Sequence, residues 1–309
     1  MVGPYKILCP VGCRSDLGLV APIIRRLKQD PAFEVMQYDL KPMDFIESYR
    51  ITVDKINEFH PDLFYANADR VEMTGATAAA FHNKVKIAHY QGGVINNPKT
   101  TYDDTDRDVI SLWADIHFVE TLQAGYNVAE LTRTYISSMP FKPKEELAHN
   151  HIHVVGITHL DDLELDASKV PIDYIPTPDG DMKVMEPYDL VLINYPSFGD
   201  FPSSEINKIL LESDRLKIHI GGNPDGDISR IGRPQYENLP RPQFLGLLKN
   251  CQRFITNSSC AVTEAPYFLK PEQIVMVGDR NRNRPPVECK PGGSDRIVAI
   301  LKDYAKEKK

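Results

Sequence analysis

Short apolar runs alternate with amphipathic stretches along the chain, and this alternation constrains the fold more than any other feature of the sequence. The runs have the length and composition of buried strands, and the stretches between them have helical periodicity. In the first half, strands are predicted at residues 5–11, 34–38, 62–66, 85–89, 116–119 and 153–156. Helices are predicted at residues 19–28, 45–59, 73–81 and from about 107 to 113. Strands that alternate with helices form parallel sheets covered on both faces. The sequence therefore predicts an α/β, doubly wound fold.

The alternation stops between residues 170 and 187, where prolines and a glycine replace the periodic apolar residues. Such a segment is typical of an interdomain linker. A second series of strands and helices follows it and ends in an amphipathic helix over residues 295–306. We therefore predict two Rossmann-like domains with parallel sheets facing a central cleft. They comprise residues 1–168 and 169–309, and the last helix is expected to pack back on the first domain.

Composition narrows the class of protein further. The chain has 309 residues, 42% of them hydrophobic and 26% charged, which is enough apolar content for two ordinary domains. No apolar run is long enough to span a bilayer and no signal peptide is visible, so we expect a soluble, cytoplasmic protein. The formal net charge of −7 argues weakly against a broad nucleic-acid footprint, although a local basic loop leaves that partner open.

The cysteines do not show the spacing of a metal site. There are five of them, at positions 9, 13, 251, 260 and 289, and no histidine cluster completes a ligand set. We predict free thiols, no metal and no cofactor.

A stretch near the end of the chain, residues 254–285, combines a strand, a turn and a basic loop. Residues 257–259 are Asn-Ser-Ser, which are helix N-cap types, and Glu264 falls in the first turns of the helix expected there. A helix N-terminus suits a phosphate, and the loop that follows contains Arg280, Arg282 and Arg284. The stretch thus favours a sugar-nucleotide or another phosphorylated ligand. The alternative is that the serines only cap a helix and the arginines are solvated.

Six segments together resemble the UDP-N-acetylglucosamine 2-epimerases, especially the hydrolysing, sialic-acid-pathway type. They are residues 12–19 (GCRSDLGL), 68–73 (ADRVEM), 89–93 (HYQGG), 103–107 (DDTDR), 257–266 (NSSCAVTEAP) and 278–284 (GDRNRNR). The family has two Rossmann-like domains of the glycosyltransferase-B type. The resemblance implies UDP binding at Ser258, Ser259 and Glu264, with Arg14 near the phosphates. It also marks Arg107, Arg280 and Arg284 as substrate-binding residues.

The sequence departs from the family pattern at several positions. Gln91, Val94, Asp108, Leu112 and Tyr195 replace residues that are ionisable or catalytic in the family. Family chemistry moves the proton on the second carbon of the sugar and expels UDP, which requires acid and base groups. The side chains of Gln91 and Val94 cannot take up or release a proton in such a reaction.

Four side chains remain as candidates for the proton transfers. They are Asp69, Asp104, Asp16 and His89. Asp69 is the preferred general base, and its alternative role is a helix cap. For His89 the alternative is a purely structural histidine. Gly92 and Gly93 are expected to allow a tight turn or a close approach of ligand. The acidic residues at 103, 104, 106 and 108 are better explained as a solvated, helix-capping loop than as a metal site, because calcium loops need a more regular ligand pattern.

The resulting prediction is a UDP-sugar-utilising enzyme similar to the hydrolysing 2-epimerases. The alternative is a glycosyltransferase on the same fold, with a glycan, a small molecule or a modified DNA base as acceptor. In that case Asp69 or Asp16 would deprotonate the acceptor hydroxyl. A non-catalytic sugar-nucleotide sensor is the third possibility, and a homodimer is compatible with all three.

Overall fold

The protein divides into two compact units in a computed structural model. The structure describes residues 3–12, 14–40, 44–67, 69–95, 102–138, 151–163, 174–177, 180–184, 186–194, 202–221, 236, 239–279, 281 and 292–307. The first unit comprises Met1–Ile95, Tyr102–Asp161 and Glu288–Lys309, and the second comprises Asn96–Thr101 and Asp162–Val287. The chain therefore leaves the first unit and later returns to it.

The first unit is built on a six-stranded parallel sheet. Its strands are β1 (Tyr5–Val11), β2 (Phe33–Asp39), β3 (Leu63–Asn67), β4 (Lys86–Tyr90), β5 (Ile116–Val119) and β6 (Ile152–Val154). Its first helices are α1 (Arg14–Gln29), α2 (Phe45–Phe59), α3 (Val71–His82), α4 (Asp103–Trp113) and α5 (Leu122–Ser138). The strand order is β2-β1-β3-β4-β5-β6, so the winding direction changes between β1 and β3. In open sheets of this kind, ligands bind beyond the carboxyl ends of the strands at such a point.

Alternate side chains of the central strands enter two separate cores, one on each face of the sheet. Ile7 of β1 and Tyr65 of β3 pack with helix α1, whereas Leu8 and Phe64 pack with helices α2, α3 and α4. This period of two along each strand is what a sheet covered on both faces requires. The predicted doubly wound arrangement of this unit is confirmed.

The last described helix completes the first unit. Helix α10, the tenth helix among the described residues, spans Gly293–Glu307 and buries Ile297 and Leu301 in the same core as α1. The Asp161 carboxylate accepts hydrogen bonds from the backbone N–H groups of Gly292, of Gly293 at 3.2 Å and of Ser294 at 2.7 Å. A carboxylate in this position satisfies unpaired N–H groups at the helix N-terminus and complements the helix dipole.

The second unit is built on a four-stranded parallel sheet in the order β10-β9-β11-β12. Its strands are β9 (Tyr188–Ile193), β10 (Leu216–Gly221), β11 (Arg253–Thr256) and β12 (Ile274–Met276). Its helices are α6 (Ser203–Leu211), α7 (Arg241–Asn250), α8 (Cys260–Thr263) and α9 (Ala265–Phe268). The fold prediction, an α/β protein with two parallel sheets, is thus confirmed.

Some predicted elements differ from the structure. The segment predicted as a linker contains an antiparallel pair, β7 (Tyr174–Thr177) and β8 (Gly180–Lys183). Strands of four residues with prolines in and near them give a weak strand signal, so this segment has the sequence pattern of a linker. Helix α5 was not predicted, and α1 begins at Arg14 rather than at residue 19, so that Pro22 lies inside the helix.

Candidate functional site

The side chain of Arg107 binds two carboxylates at the carboxyl ends of the strands in the first unit. Its guanidinium binds Asp69, which lies between β3 and α3, and donates from NH1 to Asp104 Oδ1 at 3.2 Å. Arg107 is only 7% exposed, and the side chain of Asp104 is buried as well. Burial strengthens each of these charge-assisted hydrogen bonds, so the cluster is rigidly held.

The acidic segment at 103–106 forms the first turn of α4 rather than a loop ahead of a helix starting at residue 107. Acidic side chains at a helix N-terminus interact favourably with its dipole, which explains why the helix begins earlier than predicted. Burial raises the pKa of Asp106, against a lowering hydrogen bond to Thr74, and the neighbouring Glu72 raises it further.

The turn after β4 approaches the same arginine. The carbonyl oxygen of Val94 accepts a hydrogen bond from Arg107 NH1 at 2.7 Å. Gly93 has φ +73° and an added Cβ there would collide with the backbone of Ala124, so this position requires glycine. The predicted tight turn at Gly92 and Gly93 is therefore present, and it carries the backbone of Val94 to the arginine.

A buried carboxylate that the sequence analysis did not select lies at the same edge of the sheet. Glu120 directly follows β5 and is 4% exposed. Its Oε1 accepts a hydrogen bond from Gln91 Nε2 at 2.9 Å and lies 3.4 Å from the hydroxyl of Tyr90. Gln91 adopts φ +71°, a left-handed conformation that is unusual for a residue with a side chain. The feature of the sequence that could have identified Glu120 is its position directly after β5, the strand that pairs with β4, which Gln91 follows.

His89 is fully buried within the first unit. Its Nδ1 lies 3.0 Å from the hydroxyl of Ser111 on α4. The neighbouring His117, on β5, has a pKa lowered to about 3 by burial and by the charges that His89, His151 and His153 would carry. These contacts show how His89 is held, and its catalytic role stays a prediction.

Asparagine side chains link the carboxyl ends of two strands in the second unit. Asn257, which follows β11, accepts from the backbone N–H of Asn194 and donates to its carbonyl, both at 2.7 Å. Asn281 in turn donates to the carbonyl of Asn257 at 2.6 Å. The paired amide fixes the turn that presents Ser258 and Ser259.

The helix expected after Ser259 is replaced by two short helices of four residues each, α8 and α9. They meet at Glu264, and Pro266 in the first turn of α9 cannot donate the hydrogen bond that one continuous helix would need. The prediction of one helix that starts at the serines and includes Glu264 in its first turns is therefore wrong. Ser258 is half-buried and Ser259 is exposed at the start of α8.

Glu264 is buried beside a cation that the sequence analysis missed. Its Oε1 lies 2.7 Å from NH2 of Arg241, the first residue of α7. The pairing brings a guanidinium to the segment predicted to bind UDP. Because Arg241 is 23 positions before Glu264 in the printed sequence, no local pattern connects the two.

Several predicted groups fall partly or wholly outside the described residues. Arg280 and Arg284 are outside them, and the side chains of Arg14 and Asp16 are too, although their backbone lies in α1. Cys9, Cys251 and Cys260 are free, buried thiols, and burial raises the pKa of each to about 12.

The described part of the chain contains neither a membrane-spanning helix nor a group of metal ligands. No helix there is long and apolar enough to cross a membrane. Nor do its histidine, cysteine and carboxylate side chains form a group of three that could hold a metal ion.

The chain was compared with known protein families and curated sequences. The family model described as UDP-N-acetylglucosamine 2-epimerase matches residues 50–193. The UDP-N-acetylglucosamine 2-epimerase of Neisseria meningitidis serogroup B is 25% identical over 90% of this chain and 81% of its own length. The chain is similar to the UDP-N-acetylglucosamine 2-epimerases. The resemblance seen in the sequence motifs is thereby confirmed.

A second curated relative of this epimerase family has a different substrate in its name. The GDP/UDP-N,N'-diacetylbacillosamine 2-epimerase (hydrolyzing) of Campylobacter jejuni is 24% identical over 75% of this chain and 60% of its own length. The chain is thus similar to relatives that act on different nucleotide-linked sugars.

Solved epimerase structures share the fold. The Neisseria meningitidis enzyme bound to UDP-GlcNAc has a TM-score of 0.68 at 16% identity, covering 97% of this chain and 100% of that one. The Methanocaldococcus jannaschii enzyme in complex with UDP-GlcNAc and UDP has the same TM-score and identity, covering 96% and 99% of the two chains. At this identity the comparison defines the fold alone.

Proposed function

We propose that this protein is a hydrolysing UDP-sugar 2-epimerase, with a UDP-linked N-acetylhexosamine as substrate. The observation that carries the proposal is the Asp69–Arg107–Asp104 cluster at the carboxyl ends of the strands in the first unit, in which Arg107 and Asp104 are buried and Asp69 is half-buried. It combines a candidate base with a fixed positive charge, in a chain related to the 2-epimerases.

The second unit would bind the UDP moiety. Ser258, Ser259 and Glu264 are the proposed contacts, together with Arg280 and Arg284. Arg14 of the first unit would lie near the phosphates. Support comes from the network of Asn257 and Asn194, which fixes the serine turn, and from Arg241, which fixes the carboxylate of Glu264.

The first unit would carry out the proton chemistry. Asp69 takes the proton from the second carbon of the sugar, and the electron pair of that C–H bond forms a double bond to the first carbon. The bond from the first carbon to UDP breaks, and UDP leaves with its electron pair. Water then adds its oxygen to the first carbon, and a proton returns to the second carbon on the opposite face. Arg107 keeps Asp69 in place during the first step.

A glycosyltransferase on the same scaffold is the second candidate. It is favoured by the replacements at Gln91, Val94 and Asp108, which remove ionisable or catalytic residues of the family. A transferase would retain the UDP site and use one aspartate, such as Asp69 or Asp16, to deprotonate an acceptor. The curated relatives are named as epimerases, and this supports the first candidate over the second. The acceptor, a homodimer, a nucleic-acid partner and a cytoplasmic location stay predictions.

Incubation of the protein with UDP-N-acetylglucosamine in deuterium oxide tests the proposal. The epimerase must exchange the hydrogen at the second carbon, so the released sugar should contain one carbon-bound deuterium by mass spectrometry, without any acceptor. A transferase leaves that hydrogen in place. Recovery of unlabelled, uncleaved substrate after a long incubation with a panel of UDP-N-acetylhexosamines would contradict the proposal, and an acceptor screen would follow.

A further inference from the structure

We propose that Glu120 is a second catalytic carboxyl group of this reaction and returns the proton to the second carbon of the sugar. This inference rests on the proposed function and assigns a residue to its second half. Inverting a carbon centre requires one group to remove a proton and another to deliver one, because the two transfers occur on opposite faces. Asp69 can supply the first, which leaves the second to be assigned.

Glu120 occupies the correct edge of the sheet for this role. It directly follows Val119, the last residue of β5, and β5 pairs in parallel with β4. Gln91 directly follows Tyr90, the last residue of β4. Both side chains therefore lie at the carboxyl edge, where open α/β sheets bind their ligands. Asp69 lies beyond the carboxyl end of β3, the other neighbour of β4.

The contacts of Glu120 hold its carboxyl group at this edge of the sheet. Its Oε1 accepts a hydrogen bond from Nε2 of Gln91 at 2.9 Å and lies 3.4 Å from the hydroxyl of Tyr90. Asp69 and Asp104 are held by the guanidinium of Arg107 instead. The two carboxyl groups Asp69 and Glu120 are therefore positioned by separate sets of contacts.

The conformation of Gln91 provides an independent observation. Its φ of +71° is unfavourable for a residue with a side chain, and it is fixed by a hydrogen bond from the backbone N–H of Gln91 to the carbonyl of Phe118 at 3.1 Å. Strained conformations of this kind persist where the surrounding structure enforces them, and they concentrate at functional sites. Here the strain turns the amide of Gln91 toward the carboxyl group of Glu120.

The proton balance of the second half-reaction closes without another reactant. Glu120 in its acid form gives its proton to the second carbon of the unsaturated sugar. Water supplies hydroxide to the first carbon, and the proton left over from that water restores the acid form of Glu120. The proton that Asp69 removed passes to solvent as UDP departs. The net change is hydrolysis of the UDP-sugar with inversion at the second carbon.

The test is a comparison of the parent with Glu120→Gln, with the double variant Gln91→Glu/Glu120→Gln and with Glu34→Gln. Glu34 is an exposed residue of β2, so its substitution is the matched control. Each protein is incubated with UDP-N-acetylglucosamine in deuterium oxide. Released UDP, unsaturated sugar and deuterated epimer are then measured separately, and thermal unfolding is recorded for every variant.

We expect Glu120→Gln to release UDP but to accumulate the unsaturated sugar, with at least about 100-fold less deuterated epimer than the parent. The double variant keeps a carboxyl–amide pair with the partners exchanged, and we expect it to recover about a tenth of the parent's epimer. The control should match the parent.

Three results would overturn the assignment. Epimer formation by Glu120→Gln at the parent's rate would exclude a proton-transfer role. Loss of UDP release together with epimer in a folded Glu120→Gln would place Glu120 in the first step instead. Failure of the double variant to recover any epimer, with normal thermal unfolding, would show that a carboxyl group in this pair does not supply the proton. A parent that makes neither UDP nor epimer would instead refute the proposed function itself.

Discussion

Arg241 at the start of α7 lies 2.7 Å from the carboxylate of Glu264, and both side chains are largely buried. The pair positions Glu264 beside the serine turn of the second unit. We predict that Ser258→Ala combined with Glu264→Ala weakens UDP binding by one or more orders of magnitude. A hydrogen bond to a charged group contributes roughly 1.5–3 kcal/mol, which is the basis for that range. Isothermal titration calorimetry with UDP measures the effect.

The Arg241 contact calls for a control on this result. Arg241→Met removes the cation and leaves the carboxylate in place. If Glu264 contacts UDP, the Arg241 variant should lose less affinity than the Glu264 variant does. Equal affinity for UDP in the parent and in the double serine–glutamate variant would rule out this segment as the nucleotide site.

Asp69→Asn should reduce epimerisation by about 10² to 10⁴-fold while UDP affinity stays within a factor of three. The amide keeps the shape of the carboxylate and can still contact Arg107, but it cannot take the proton. Steady-state UDP release and calorimetry on the same preparation separate the two effects. Full activity in the variant would transfer the role of base to Asp104 or Asp16.

Gly93→Ala should destabilise the first unit. The position has φ +73°, and an added Cβ would collide with the backbone of Ala124. Backbone strain of this kind costs on the order of 1–3 kcal/mol, before any shift of α5 is counted. Gly3→Ala is the matched control, because nothing lies within 4 Å of an added Cβ there. Thermal unfolding should show a lower midpoint for Gly93→Ala alone.

Asp189 links stability to acid pH in the second unit. Burial raises its pKa, but hydrogen bonds from Arg253 and Arg215 outweigh that effect, and the pKa lies below the usual 3.8. Because the folded-state pKa is depressed, the stabilisation is present above about pH 4 and is lost as the pH falls through the folded-state value. Asp189→Asn should cost about 1.5–3 kcal/mol at pH 7, since it weakens the charged hydrogen bond from Arg253, 18% exposed, whereas Arg215, 42% exposed, keeps its contact with solvent.

Urea unfolding at pH 7 and pH 3 checks this expectation. The difference between parent and Asp189→Asn should shrink at the lower pH. The control is Asp303→Asn, whose side chain is 74% exposed and whose ion pair with Lys306 should contribute little. An Asp189 variant as stable as the parent at pH 7 would show that the two arginines are satisfied in another way.

His117 should make the first unit less stable as the pH falls below 6.5. Burial lowers the pKa of His117 to about 3, so between pH 6.5 and 3 the unfolded chain binds a proton that the folded chain does not. Stability therefore falls with decreasing pH across that window, by up to about 1.4 kcal/mol per unit. His117→Gln should reduce this slope by nearly one proton, whereas His82→Gln, at an exposed position, should not.

The fold could be predicted from the sequence because the strand runs are short, apolar and regularly separated. The predicted and observed bounds of α2 coincide, and a clear amphipathic period with an Asp44 cap explains why. The start of α1 could not be predicted, because the glycines at 12 and 18 are typical of a turn and hide the helix between them.

The site could be predicted only where neighbours in sequence are also neighbours in space. Asp104 and Arg107 are one helical turn apart, and the D-D-x-x-R motif shows that spacing directly. The contact of Gln91 with Glu120 depends on the pairing of β4 and β5, which no local pattern specifies. The contact of Arg241 with Glu264 could not be predicted for a similar reason, because it depends on how separate parts of the chain pack together.

The carboxylate of Asp161, bound to the first backbone N–H groups of α10, has a consequence for biosynthesis. The core around α1 lacks Ile297 and Leu301 until the ribosome has produced the residues of α10. Domains generally fold in the order of their synthesis, at about 5–20 residues per second. In this protein the ribosome synthesises the whole second unit before it produces α10, which completes the core of the first unit. A nascent chain stalled near residue 280 should therefore present an unfinished first unit to chaperones and proteases.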